Sequence, residues 1–102
     1  MELKVRHMGN SVGFEISGII DQEGAEFLEK SFRKIDFSEF KKLVLDFRKV
    51  EYIGSLGVKN LLIFYKKMTT NGGRLYIEND TGIFRELLTI TKMNDVIKCY
   101  DN

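Results

Sequence analysis

Apolar residues alternate with polar ones at the start of the chain. Leu3, Val5 and His7 are spaced by two, and so are Val12, Phe14 and Ile16. A period of two predicts half-buried strands, and the Gly9-Asn10-Ser11 turn between them predicts an antiparallel hairpin. The period then changes. Over residues 22–35, Ala25, Leu28, Phe32 and Ile35 recur at the spacing of a helix that buries one stripe. Gly18 to Asp21 reads as the connector, with Asp21 where an N-cap belongs. Glu26–Lys30 and Glu29–Arg33 are i,i+4 pairs in the favourable order, each adding about 0.2–0.5 kcal/mol to the helix.

Residues 42–47 form a short run, apolar on both faces at its centre, which predicts an interior strand covered on both sides. A short loop follows. A second helix is predicted over residues 55–70, with Val58, Leu61, Leu62, Tyr65 and Met68 as its core stripe, and Asn71-Gly72-Gly73 ends it. Residues 75–77 make a fourth strand. Asp80 or Thr81 caps a third helix that buries Ile83, Phe84, Leu87 and Leu88, and residues 96–100 make a fifth strand. The order β-β-α-β-α-β-α-β describes one α/β domain over residues 1–102: a mixed sheet of about five strands with helices packed on it.

Composition narrows the function. The 16 basic and 15 acidic residues are interspersed and leave a net charge of +1, without the basic stripe of a nucleic-acid binder. No apolar run reaches the length of a membrane span, and the first residues lack a signal-peptide core. A single cysteine, Cys99, excludes an internal disulfide and suits a reducing compartment, so the expected location is the cytoplasm. One histidine and one cysteine, far apart in sequence, provide no metal-ligand cluster, and no cofactor is expected. His7 and Cys99 read as structural residues.

Catalysis has thin support. A nucleophilic Ser55 would have only His7 as a base, and Asp46 and Glu51 are the only acids near its loop. Asp46 reads as a hydrogen-bonded structural residue, and the chain reads as a non-enzyme. Gly54-Ser55-Leu56-Gly57 lacks the lysine and terminal hydroxyl residue of a phosphate-binding loop.

The Ser55 hydroxyl nonetheless falls at or near a helix N-terminus, just past a buried strand. There it can cap the helix, worth about 0.5–2 kcal/mol, or accept a phosphate that acts as a switch. Leu56 and Ile63 point opposite to Val58, Leu62 and Tyr65 on a helical wheel. With Lys59 and Asn60 between or beside them, they form a patch that predicts a partner-binding face.

These residues resemble the STAS domain of bacterial anti-sigma factor antagonists over essentially the full chain. Residues 50–62, VEYIGSLGVKNLL, are similar to the family's loop–helix signature: an aspartate, two small hydroxyl residues, a glycine, an aliphatic and a small residue. Gly54 falls at the aspartate, Ser55 at the hydroxyl residue that is phosphorylated in switch members, Leu56 at the second hydroxyl, Gly57 at the glycine and Val58 at the aliphatic position. Gly18-Ile19-Ile20-Asp21 resembles the turn into the first helix, and residues 87–100 the last helix and strand. The resemblance implies a protein-interaction module without catalysis. Its unmodified form would bind an anti-sigma factor that is also a serine kinase, phosphorylation at Ser55 would break that complex, and a serine phosphatase would restore it. The implied contact set is Gly54, Ser55, Leu56, Lys59, Asn60 and Ile63. Two departures, Gly54 for the aspartate and Leu56 for the second hydroxyl, motivate an alternative: a constitutive STAS subunit of a cytoplasmic complex, such as a lipid-transport ABC system, with Ser55 only a cap. Lys59 also stands where a small residue is usual. Neither reading sets the oligomeric state.

Overall fold

The hairpin forms where the alternation places it. In the computed structural model, which describes residues 1–36, 38–78 and 99–100, β1 (Glu2–Met8) pairs antiparallel with β2 (Ser11–Ile20). β2 runs through Gly18 to Ile20, so the expected connector belongs to the strand and Asp21 alone leads into α1 (Gln22–Arg33). Asp21 caps that helix: its Oδ1 accepts from the Gly24 amide at 2.9 Å. Glu29 pairs with Arg33 as expected, whereas the carboxylate of Glu26 accepts from Gln22 one turn before it.

β3 (Lys42–Ile53) is twice the expected length and lies parallel to β2. The predicted loop after Phe47 is strand. Two register shifts explain why the pattern concealed it. Glu15 faces Asp46 but Ser17 faces Lys49, and Gly18 faces Val50 but Ile19 faces Tyr52. Each shift gives β3 one extra residue, so its buried positions run Leu43, Leu45, Phe47, Val50 and Ile53 instead of keeping a period of two.

α2 (Ser55–Thr70) follows after Gly54 alone and leads to β4 (Arg74–Glu78), parallel to β3. Gly72, with φ 75°, makes the turn between them. β5 (Cys99–Tyr100) pairs parallel with β4 and completes the order β1-β2-β3-β4-β5. The expected third helix and the remainder of the expected fifth strand lie outside the described residues.

α1 and α2 pack on one face of the sheet. Val12, Phe14 and Ile16 of β2, Leu43, Leu45 and Phe47 of β3, and Leu75 and Ile77 of β4 are buried beneath them. The helices also pack on each other: Phe32 and Phe64 stack with ring centres 4.0 Å apart. That second contact rotates the buried arc of α2. Val58, Leu61 and Met68 are buried as expected, but Gly57, Asn60 and Phe64 complete the arc, while Leu62 and Tyr65 are only half-buried. The opposite sheet face is not covered by either described helix. Val44 and Asp46 are half-buried there, so the expectation of two covered faces does not hold for these residues. Charged contacts decorate that face, among them Arg6–Glu15 at 3.2 Å and Arg48–Asp46 at 3.1 Å.

Candidate functional site at the strand ends

The C-terminal ends of the parallel strands β2 and β3 meet the N-terminus of α2, and Ser55 stands at that junction. The backbone there is fixed from both sides. The Gly54 amide donates to the carbonyl of Ile20 at 2.9 Å, and the Gly54 carbonyl accepts from Val58 as the first helical bond, 3.1 Å. Beneath it, Ile20 and Ile53 are buried. Gly57 lets the first turn of α2 press onto them. A Cβ at this position would stand 2.8 Å from Ile53 Cγ1 and 2.9 Å from Ile20 Cγ2.

Gly54, not Ser55, occupies the N-cap position, with φ −87° and ψ 176°, and no side chain caps the helix. Ser55 is the first helical residue and is exposed. The capping role expected of it is therefore corrected: its backbone is already helical, and its hydroxyl makes no cap hydrogen bond. No acidic residue lies in the first turn, so the exposed N–H groups and the positive end of the helix dipole face no carboxylate from the helix itself. Lys59 is exposed one turn further along.

Gly54 requires no special backbone freedom. A side chain there would meet the Tyr52 hydroxyl at 3.5 Å and the Ile20 carbonyl at 3.7 Å, both ordinary contacts. Aspartate favours this capping conformation. Gly54→Asp is thus expected to raise stability by a few tenths of a kcal/mol, read as a slightly higher midpoint in thermal unfolding.

The expected contact set divides. Ser55, Lys59 and Ile63 are exposed, Ile63 at 39%. Gly54 is half-buried. Leu56 is half-buried too and packs against the core, so it borders the patch instead of standing out from it. Asn60 is 4% exposed and its Nδ2 donates to the Ala25 carbonyl at 2.7 Å. It ties α2 to α1 and is not on the surface, because the helix–helix contact claims that side of α2.

Two residues of the surface were missed by sequence reasoning. Ile19 and Tyr52 are paired neighbours at the ends of β2 and β3, exposed at 48% and 53%, and Tyr52 leans over Gly54. With residues 48–53 read as loop, no period marked Tyr52 as strand-borne. Ile19 sat in the supposed connector.

The site does not assemble a nucleophile and base from Ser55 and His7. His7 pairs with Val12 at the start of β2 and packs edge-on against Phe40, ring centres 4.9 Å apart. Ser55 lies beyond Ile20 at the other end of that strand, roughly 26 Å away at 3.3 Å per residue. Asp46 accepts from the backbone and side chain of Arg48, the hydrogen-bonded role expected of it. No helix among the described residues is long and apolar enough to cross a membrane.

Comparison with known proteins agrees with this architecture. The STAS domain family model matches residues 2–102, and the chain belongs to that family. No curated protein sequence gives a significant match. Among solved structures, a putative anti-sigma factor antagonist from Thermotoga maritima superposes with a TM-score of 0.87 at 19% identity, covering 98% of this chain and 86% of that one. An anti-sigma factor antagonist from Mycobacterium paratuberculosis gives 0.84 at 24% identity, covering 97% and 84%. SpoIIAA, a Bacillus cell fate determinant, gives 0.79 in its phosphorylated form at 14% identity, covering 97% and 91%. At these identities the superpositions speak to the fold.

Proposed function

We propose that this protein is a cytoplasmic anti-sigma factor antagonist that binds a serine-kinase anti-sigma factor and is released by phosphorylation at Ser55. The observation that carries the reading is the exposed Ser55, free of any capping duty, at a junction flanked by Ile19 and Tyr52, with Ile63 exposed about two turns further along α2. Family membership and the likeness to anti-sigma factor antagonists supply the partner class. The docking surface comprises Gly54, Ser55, Lys59 and Ile63, with Leu56 at its border and Tyr52 and Ile19 added; Asn60 supports it from within. The protein acts as substrate and ligand, and a serine phosphatase resets it.

The physical logic follows from the charge. A phosphoserine carries about −1.5 to −2 charge at pH 7. At the start of α2 that charge meets open N–H groups and Lys59 one turn away, so the domain tolerates it without rearrangement. The partner must instead desolvate a dianion against apolar surface, and the complex breaks.

Incubation with the serine-kinase anti-sigma factor of the same organism and ATP, followed by mass-spectrometric mapping, tests the assignment. Phosphate is expected on Ser55; none there rejects the switch. Tyr52→Ala tests the surface separately. An exposed aromatic at the centre of such a patch is the usual anchor, and its truncation is expected to weaken binding of the unmodified protein by about 30-fold, the equivalent of roughly 2 kcal/mol. Titration calorimetry against the kinase measures this, and an unchanged affinity removes Tyr52 from the contact.

A further inference from the structure

The outer edge of β1 is a second surface, at the far side of the sheet from β5. Among the described residues β1 pairs only with β2, so one row of its backbone N–H and C=O groups faces outward. Leu3, Val5 and His7 lie opposite Ile16, Phe14 and Val12 and so share the helix-covered face. Yet Leu3 is only half-buried and Val5 is 43% exposed, because the helix cover stops short of this strand.

α1 lies over β2, the strand next to this edge. Its α2-facing side is marked by the Ala25 carbonyl and by Phe32. Phe27 lies about 200° round the helix from Ala25, on the flank turned away from α2, and is 51% exposed. Met1 confirms which way that flank looks: its Sδ lies 3.3 Å from where a Gly24 side chain would begin. Met1, Leu3 and Val5 thus form an apolar strip along the outer strand, and the exposed Phe27 lies on the flank of α1 turned away from α2.

We propose that a second copy of this chain covers the strip by antiparallel pairing of β1 with β1. Charge complementarity of the strand with itself argues for the occupant, and charge together with ladder length sets the register. Centred on Lys4, the pairing sets Glu2 of each copy against Arg6 of the other and Leu3 against Val5, each twice, as two-fold symmetry requires. Lys4 meets its own copy, the one unfavourable contact of the ladder, since Glu15 opposite it on β2 pairs with Arg6. Centring on Val5 would set Lys4 against Arg6, and centring on Arg6 would set Arg6 against itself. Neither register offers a compensating opposite-charge pair between the two β1 strands; centring on Leu3 would set Glu2 against Lys4 twice but would end the ladder at Val5 and leave Arg6 and His7 unpaired.

Sedimentation velocity across micromolar to millimolar protein tests this on the full chain. The native protein is expected to self-associate. Glu2→Arg and Arg6→Glu should each weaken the dimer about tenfold, since each turns two opposite-charge cross-strand pairs into like-charge pairs. Mixing the two variants recreates both Glu–Arg pairs in a heterodimer and should restore association, with circular dichroism showing each variant folded. A protein that stays monomeric throughout, a dimer indifferent to Glu2→Arg, or a mixture no tighter than its components overturns the proposal. Protection of the outward β1 amides from exchange only when a different protein is added would assign the edge to a foreign strand and overturn it as well.

Discussion

Ser55→Asp is expected to weaken binding to the serine-kinase anti-sigma factor by roughly 10²-fold or more while leaving thermal unfolding unchanged or slightly improved. The binding loss follows from placing an uncompensated charge in a covered contact, which costs about 3–5 kcal/mol when no opposite charge receives it. The intact fold follows from the position. Residue 55 is exposed at the start of a 16-residue helix with no acidic residue in its first turn, where an added carboxylate gains about 0.3–1 kcal/mol from the helix dipole. Ser55→Ala separates charge from side-chain loss. Because the hydroxyl makes no cap hydrogen bond, its removal should alter stability by no more than about 0.5 kcal/mol, below the range of a lost cap, and should preserve binding. Calorimetric titration and thermal melts of both variants provide the two readouts. A stability loss of capping size in Ser55→Ala would restore the capping role that the geometry denies to this residue.

Gly57→Val should be the most damaging single change near the site. The added atoms have nowhere to go: a Cβ alone would stand 2.8 Å from Ile53 Cγ1 and 2.9 Å from Ile20 Cγ2, two side chains buried under the helix. Either α2 lifts off the ends of β2 and β3 or both isoleucines leave their rotamers. Overpacking of this kind costs about 1–3 kcal/mol, occasionally more, and each kcal/mol lowers the midpoint of a domain this size by roughly 4–8 °C. Lifting α2 also moves Ser55, so binding should fall together with stability. Gly54→Asp, three residues earlier, is the internal control. The same loop accepts a side chain there at ordinary contact distances, and a melt as depressed as that of Gly57→Val would contradict the packing described.

Where the pattern was regular, the sequence and the structure agree. The hairpin, the α1 stripe of Ala25, Leu28 and Phe32, the Asp21 cap and the α2 boundaries were all legible, because each rests on local spacing or local hydrogen bonding. What escaped depends on contacts between distant segments. The last six residues of β3 were hidden by two extra residues that break its alternation. Asn60 looked like a surface residue until its bond to Ala25, 35 positions away, placed it between two helices. Phe64 falls outside the stripe that spacing predicts for α2 and is buried for the same reason, by stacking on Phe32 of α1. Ser55 was identifiable as a residue at a helix start, but one position of helix phase decides between a cap and a free hydroxyl, and spacing does not resolve one position. Ile19 and Tyr52 became visible only once their strands were seen to end side by side.

The proposed switch is an exposed serine at the start of an uncapped helix, whose modification the domain absorbs and its partner does not. Titration of the kinase-type anti-sigma factor with unmodified protein and with protein stoichiometrically phosphorylated on Ser55 tests this most directly. The expected result is a complex with the unmodified form, an affinity lower by roughly 10²–10³-fold for the phosphorylated form, and superimposable circular dichroism spectra. Equal affinities for the two forms, or a phosphorylated form that has lost its fold, would contradict it.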